Sequence, residues 1–315
     1  MSGSHLSYPS SILSLVGEFR LTPDKKRGQC FLIENNILDQ IPVLTGVSSD
    51  ELIIEIGSGP GNLTSRLCDS AGHVIAFETD RNFFPIYKKY FDGRNVDFHQ
   101  LDFLKSDLGE LINAALSKNS MLKKVKVVSN IPYYITSPII EKLLYSGVEF
   151  SAIYLLMQTD VAERIIAMPK TKDYSILTVA TNFAAEISMV KNISKNCFFP
   201  KPEIESSILK FVPLERRKFK SFEEYVFFGV LKAAFNQRRK VALNAISNNV
   251  ARISEINSYP PEFISFASSP EFKAALTAAF EKHQISRLAR AEEIECEKYA
   301  EIASFLSLAM REKAR

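Results

Sequence analysis

Little in this sequence suits a metal ion or a disulfide. The four cysteines, Cys30, Cys68, Cys197 and Cys296, lie far apart with no Cys-x-x-Cys pair. Neither a zinc site nor a disulfide framework is indicated. The four histidines, His5, His73, His99 and His283, are equally scattered. With no lone catalytic His or Cys standing out, hydrolysis through a nucleophile triad is disfavoured. No apolar run approaches the roughly eighteen residues of a membrane span. The amino terminus, MSGSHLSYPSSILSLVGEF, lacks both a basic start and a sustained hydrophobic stretch, so a cytoplasmic protein is expected. A formal net charge of +3 is too small to establish a polyanionic partner, and local basic clusters have to make that case. There is no internal repeat or low-complexity tract.

What is present is enough apolar chain for real cores. At 315 residues, 46% hydrophobic and 24% charged, one large domain plus a smaller one is expected. The chain is organised around Val127-Val128-Ser129-Asn130-Ile131-Pro132-Tyr133. Lys124 to Val128 alternates and is β-branched, so it reads as a strand whose carboxyl end delivers Asn130 into a loop. Pro132 has no N–H and pushes Ile131 into an extended conformation. Two acceptors, the Asn130 amide oxygen and the Ile131 carbonyl, then stand side by side next to the ring of Tyr133. Such a set suits a planar base with an exocyclic amine. Accepting both amine protons favours a more pyramidal nitrogen held for attack, which is positioning and electrostatics rather than acid–base chemistry.

Other signals converge on the same place. Leu52 to Ile56 is a short apolar strand ended by Gly57-Ser58-Gly59-Pro60-Gly61, with a helix starting at Asn62. The glycines permit a tight turn and close approach of a ligand to bare backbone, and the helix amino terminus offers N–H donors. The spacing is Gly-x-Gly-x-Gly, unlike the fingerprint of dinucleotide binders. A second strand, His73 to Phe77, ends at Glu78, where an α/β nucleoside site holds ribose hydroxyls. A third, Val96 to Leu101, ends at Asp102-Phe103, able to pair with an adenine amine and pack its ring. In an open parallel sheet these strand ends line one crevice.

Elsewhere the sequence predicts helices over 8–20, from Glu34 to Leu44, from Asp160 to Ala167 and from Ser175 to Ala185. Strands are expected from Ala152 to Met157 and from Ser206 to Val212. Between them Phe198-Phe199-Pro200-Lys201-Pro202 reads as an extended loop able to present an aromatic ring. Glu215-Arg216-Arg217-Lys218-Phe219-Lys220 marks a composition shift, giving expected domains of 1–215 and 216–315. Residues 223–246 read as one helix, apolar on one side through Val230, Leu231, Ala234, Phe235, Val241 and Ala245. Lys232, Asn236, Arg239 and Lys240 group on another face with Arg238 at its edge, a candidate phosphate contact. Residues 250–284 read as short helices with loops, and Arg287 to Ala309 as an amphipathic helix pair. The basic run Lys25-Lys26-Arg27 and Gly28 read as a turn on a solvated face.

Taken together, the chain resembles the bacterial small-subunit ribosomal RNA adenine dimethyltransferases (the KsgA/RsmA family), relatives of the erythromycin-resistance methylases. The resemblance is carried by GQCFL at 28–32, EIGSGPGNLT at 55–64, ETD at 78–80, LDFL at 101–104 and NIPYYIT at 130–136. It continues through FFPKPEIESSILKF at 198–211, AAFNQRRKVALNAI at 233–246 and RAEEIECEKYAEIASFL at 290–306. It implies an α/β fold: a doubly wound, Rossmann-like methyltransferase sheet with a small carboxyl-terminal helical domain that binds RNA. It also implies S-adenosylmethionine as methyl donor, no metal, and a monomer acting on 16S ribosomal RNA in a small-subunit particle.

By the same resemblance Gln29, Cys30 and Leu32 border the methionine end of the donor, and Gly57 and Gly59 approach its backbone. Glu78 holds the ribose, Asp102 and Phe103 the adenine. Asn130 and Ile131 accept from the target amine while Tyr133 and Phe198 sandwich the target base, which has to leave its stack. Lys232, Arg238, Arg239 and Lys240 contact RNA. Four features depart from the family pattern: Cys30 for the usual Asn or His, Tyr134 where Asn is common, Val241-Ala242-Leu243 for a more polar run, and extra length in 250–284. The rival readings are an erythromycin-resistance-type methylase of 23S RNA, a DNA adenine methylase, and a non-catalytic RNA-binding relative.

Overall fold

Short β-branched runs alternate with amphipathic stretches, and the chain folds accordingly. The computed structural model describes residues 8–9, 11–23, 29–214 and 221–313, without the side chains of 221 and 222. The basic run at 25–27, Gly28 and the expected boundary at 215 lie outside the described residues. In order, the elements are α1 (Ile12–Glu18), β1 (Phe31–Leu32), α2 (Asn35–Thr45), β2 (Glu51–Ile56), α3 (Asn62–Ser70) and β3 (His73–Phe77). Then follow α4 (Phe84–Tyr90), β4 (Val96–His99), α5 (Leu108–Lys118), β5 (Lys124–Asn130), α6 (Thr136–Tyr145) and β6 (Ala152–Gln158). The chain continues through α7 (Thr159–Ile165), α8 (Ile176–Ala184), β7 (Ala185–Ile193), β8 (Phe198–Phe199) and β9 (Ser206–Pro213). It ends with α9 (Ser221–Phe235), α10 (Ala242–Ile256), α11 (Pro261–Ala267), α12 (Pro270–Lys282) and α13 (Cys296–Lys313).

Seven strands form one sheet in the order β4-β3-β2-β5-β6-β9-β7. The first five are parallel, and β9 runs antiparallel to both β6 and β7. The chain leaves β2 toward β3 and β4, then returns to build β5 and β6 on the other side. The order therefore reverses between β2 and β5, where a doubly wound sheet opens a crevice at its carboxyl edge. Ladder pairing between these two strands runs only as far as Ile54 opposite Val127. Beyond it the Ser129 hydroxyl takes over, accepting from Ile56 N–H at 3.0 Å and donating to Ile56 C=O at 2.7 Å. A side chain thus satisfies both backbone groups of Ile56 where the strands part.

β2 is buried along its whole length, including two acids. Glu51 is matched by Lys126 at 2.8 Å, and the same ammonium donates to the carbonyls of Thr45 and Gly46. Glu55 has no cation; it accepts from the Thr64 hydroxyl at 2.6 Å. Burial pushes its carboxyl up to about 8, the Thr64 bond pulls it down, and the charge of Glu78 raises it further.

Backbone contacts divide the chain into two units, one of Met1–Ala162 with Ala185–Pro213, the other of Glu163–Ala184 with Leu214–Arg315. The division is not a single cut, because α8 groups with the carboxyl-terminal helices. The second unit is all helical around Phe227, Phe263, Phe272, Phe280 and Tyr299, each fully buried. Gly229 is required there, since a Cβ would meet the Phe263 ring at 2.7 Å.

The structure corrects several expectations. The single helix over 223–246 is two, α9 and α10, joined by a turn through residues 236–240. A tertiary pairing draws the chain out of helix: Val241 bridges Arg290 and Ala242 N–H donates to Ala289 C=O at 2.8 Å. The pair of helices expected between Arg287 and Ala309 is a strand-like bridge, a short turn and one helix, α13. The third strand stops at His99, and β7 was not foreseen at all. The fourth strand does end at Asn130, which pairs with Leu156 of β6.

The sign of the Glu55 shift makes a prediction about the protein without ligand. A carboxyl raised from 4.5 to about 8 contributes stability below pH 4.5 that is lost as pH rises toward 8. Glu55→Gln keeps an acceptor for Thr64 and removes that loss. Thermal unfolding from pH 5 to pH 8.5 should show the variant gaining on the parent by a few kcal/mol as pH rises; parallel profiles would contradict the assignment.

Candidate active site

The crevice between β2 and β5 is a cleft open to solvent at its mouth. Gln29, Cys30, Leu32, Gly57, Gly59, Glu78, Asn130, Ile131 and Tyr133 all line it. They come from four separate stretches of the chain, 29–32, 57–59, 78 and 130–133, and the sheet topology is what gathers them.

The glycine turn is shaped by close neighbours. Gly57 (φ 77°) faces Pro132, where an added Cβ would sit 3.0 Å from two ring carbons. Gly59 (φ 54°) faces the Phe31 ring at 3.2 Å by the same measure. Both positions need positive φ and a bare backbone. Gly59 N–H donates to Glu78 Oε2 at 2.9 Å, while Glu78 Oε1 accepts from the N–H groups of Thr79 and Asp80. Burial lifts the Glu78 carboxyl, against these three donors that pull it down. The turn is held from outside by Tyr8, whose hydroxyl donates to Pro60 C=O at 2.9 Å, and by Asn62, which donates to Leu32 C=O at 2.5 Å.

On the opposite wall the Asn130 amide donates through Nδ2 to Cys30 C=O at 3.2 Å. Its Oδ1 is buried and has no partner among the described residues. A carbonyl can only accept, so it must face the NH₂ end, and this assigns the amide. The Ile131 N–H is used by Leu156 C=O at 3.2 Å, whereas no donor among the described residues reaches the Ile131 carbonyl. Tyr133 is half-buried, and its hydroxyl lies 2.8 Å from Ser206 Oγ. Burial pushes its phenol up to about 12, opposed by the Ser206 bond. At any ordinary pH it is a neutral ring, suited to stacking. Cys30, with its thiol raised by burial, contributes a backbone carbonyl rather than a nucleophile.

Three expected site residues do not line this cleft. Phe198 is only 3% exposed, because β8 pairs with β1 and sets Phe198 opposite Leu32 in the apolar core. Asp102 caps a turn by accepting from Leu104 N–H at 3.0 Å. Phe103 is buried edge-on against Phe77, with ring centroids 5.3 Å apart. That turn is tied to α6 by Lys142, which donates to the carbonyls of Phe103, Leu104 and Ser106.

Among the basic residues of the second unit, Arg238 braces the fold by donating to Lys172 and Tyr174 carbonyls at 2.9 and 3.0 Å. Lys232 donates to Asn257 at 2.7 Å beside the rings of Phe228 and Tyr259. Arg239 and Lys240 are exposed in the turn between α9 and α10, with no ion-pair partner among the described residues. Sequence reasoning missed Glu55, Asn62, Thr79 and Tyr134, which also line the cleft. Glu55 was detectable as an acid inside an apolar strand; the others carry no local signal. Among the described residues no group of His, Cys, Asp and Glu could hold a metal ion, and no helix is long and apolar enough to cross a membrane.

Comparison with known proteins is consistent with this geometry. Residues 21–258 match the profile of the ribosomal RNA adenine dimethylase family. The ribosomal RNA small subunit methyltransferase A of Lachnoclostridium phytofermentans is 32% identical over 312 residues, 98% of this chain and 100% of that one. The protein of the same name from Moorella thermoacetica is 39% identical over 242 residues, 76% of this chain and 84% of its own. The fold is shared with a crystal structure of a dimethyladenosine transferase from Plasmodium falciparum (TM-score 0.67, 24% identity, 89% of this chain and 97% of that one). It is also shared with that of the 23S rRNA methyltransferase ErmE (TM-score 0.58, 20% identity, 88% and 99%). A profile match over most of the chain and identities of 32% and 39% decide the matter: the chain belongs to the ribosomal RNA adenine dimethylase family.

Proposed function

We propose that the protein uses S-adenosylmethionine to place two methyl groups on the 6-amino nitrogen of adenosines in small-subunit ribosomal RNA. The observation that carries this reading is the unpartnered Asn130 Oδ1, next to the unused Ile131 carbonyl and the Tyr133 ring in one cleft. An orphaned buried acceptor is costly in a folded protein unless a ligand's donor completes it. The two ends of the cleft supply what such a pair of ligands needs: bare backbone at Gly57 and Gly59, a buried acid at Glu78, and two acceptors for an amine.

When bound, S-adenosylmethionine supplies an electrophilic methyl carbon. Gln29, Cys30 and Leu32 would border its amino-acid end, Gly57 and Gly59 its backbone, and Glu78 its ribose hydroxyls. Asp102 and Phe103, in the turn that follows β4, are proposed for its adenine although neither lines the cleft in this structure. In the first transfer Asn130 Oδ1 and the Ile131 carbonyl accept the two protons of the target amine, which localises the nitrogen lone pair and aims it. In the second, the one remaining N–H is accepted by one of the two oxygens. Tyr133 stacks on one face of the flipped base; Phe198 supplies the other only once its ring leaves the core. Nitrogen becomes positively charged as it reacts, so its proton passes to solvent and no strong base is required. The small-subunit substrate is favoured over 23S RNA by the curated relatives, which are named for the small subunit at 32% and 39% identity.

Asn130→Ala should slow methyl transfer by about two to three orders of magnitude while leaving folding and donor affinity nearly intact. The assay is mass spectrometry of small-subunit RNA incubated with enzyme and labelled donor, and full activity of the variant would refute the role. In the second unit, Arg239 and Lys240 are read as phosphate contacts and Arg238 as their brace. Replacing Arg239 and Lys240 by Ala should weaken RNA binding and reduce the salt slope by about one per residue. An unchanged slope would remove them from the interface.

A further inference from the structure

Ser206 opens β9 and is fully buried, opposite Gln158 of β6 and Ile193 of β7. The strand positions that follow it include Ile208 and Leu209, both buried apolar residues. A hydroxyl here is desolvated, and its one recorded side-chain partner among the described residues is the Tyr133 hydroxyl at 2.8 Å. Tyr133 itself stands in a single short turn, Tyr133–Ile135, that follows extended Pro132. A ring on so short a turn is fixed by the backbone at Cα only. The far end of the ring would swing about its two side-chain torsions without a second attachment.

We propose that Ser206 is a positioning residue for methyl transfer, pinning the Tyr133 ring from behind so that its face meets the target base at a fixed distance from Asn130. The inference rests on the reading of Tyr133 as the stacking plate. Its physical basis is geometric. Asn130 is fixed by the Cys30 carbonyl, and Tyr133 by Ser206. The amine acceptors and the plate are therefore anchored separately, by β1's preceding residue and by β9. An error of an ångström between them is the kind of misplacement that lowers a rate without touching the reacting groups. The hydroxyl of Tyr133 then has no chemical part in the reaction; it is the handle by which the ring is held.

Ser206→Ala and Tyr133→Phe remove the same bond from its two ends, and Tyr133→Phe keeps the ring. Each should lower kcat on small-subunit RNA about 3- to 10-fold, the worth of one neutral hydrogen bond, with donor affinity by calorimetry unchanged. The double variant should fall no further than either single one, and Ser206→Thr should restore most of the rate. Losses that multiply in the double variant, or a Tyr133→Phe enzyme with the parent's kcat, would overturn the proposal. Should Ser206→Ala fail to fold, Tyr133→Phe alone still decides it. Tyr133→Ala separates the two layers of inference. If it is fully active, the plate reading fails; if it is inactive while Tyr133→Phe matches the parent, only the role of Ser206 fails.

Discussion

The amide of Asn130 has two chemically opposite ends, and one hydrogen bond decides which of them the ligand meets. Cys30 C=O takes the NH₂ end, so the oxygen is left over. Were that carbonyl displaced, the amide would be free to rotate, and an NH₂ group could face the amine it is meant to receive. Two donors facing each other cannot form a bond. Cys30 stands where the family resemblance implies Asn or His. The contact that matters is made by its backbone, which any side chain at that position can provide.

The rest of the unit keeps this small arrangement open. β2 and β5 must be adjacent to share a ladder and yet separate at their carboxyl ends to admit ligands. Ser129 reconciles the two demands by replacing ladder bonds at Ile56 with side-chain bonds. Gly57 and Gly59 then let Pro132 and Phe31 press against the turn, so the glycine loop and the Asn-Ile-Pro-Tyr segment are packed against each other. Glu78 joins the wall by accepting from Gly59 itself. Cleft shape therefore follows from backbone groups and small residues, while the larger side chains face inward with specific tasks.

The strand ends were legible because β-branched runs with period two leave a clear trace, and His73–Phe77 was located to the residue. β7 left none. It lies at the sheet edge with only its end residues, Ala185 and Ile193, buried, so it shows no apolar face. The break before Val241 was equally hidden, because it is made by a bridge to Arg290 far along the chain. Arg238 looked like a phosphate contact from its neighbours in sequence, yet two carbonyls from the 172–174 segment claim its guanidinium. Phe198 looked presented by its prolines, but pairing with Leu32 turns it into the core. Pairings such as Tyr133 with Ser206 depend on which strands meet, and no local pattern encodes them.

The central claim is that Asn130 Oδ1 and the Ile131 carbonyl jointly hold the target amine. It is tested most directly by a crystal structure of the enzyme with S-adenosylhomocysteine and an adenosine-bearing RNA oligonucleotide. The account predicts the 6-amino nitrogen about 3 Å from both oxygens, with Asn130 Nδ2 still on the Cys30 carbonyl. An amine bound to other groups, or an Asn130 amide turned over in the complex, would contradict it.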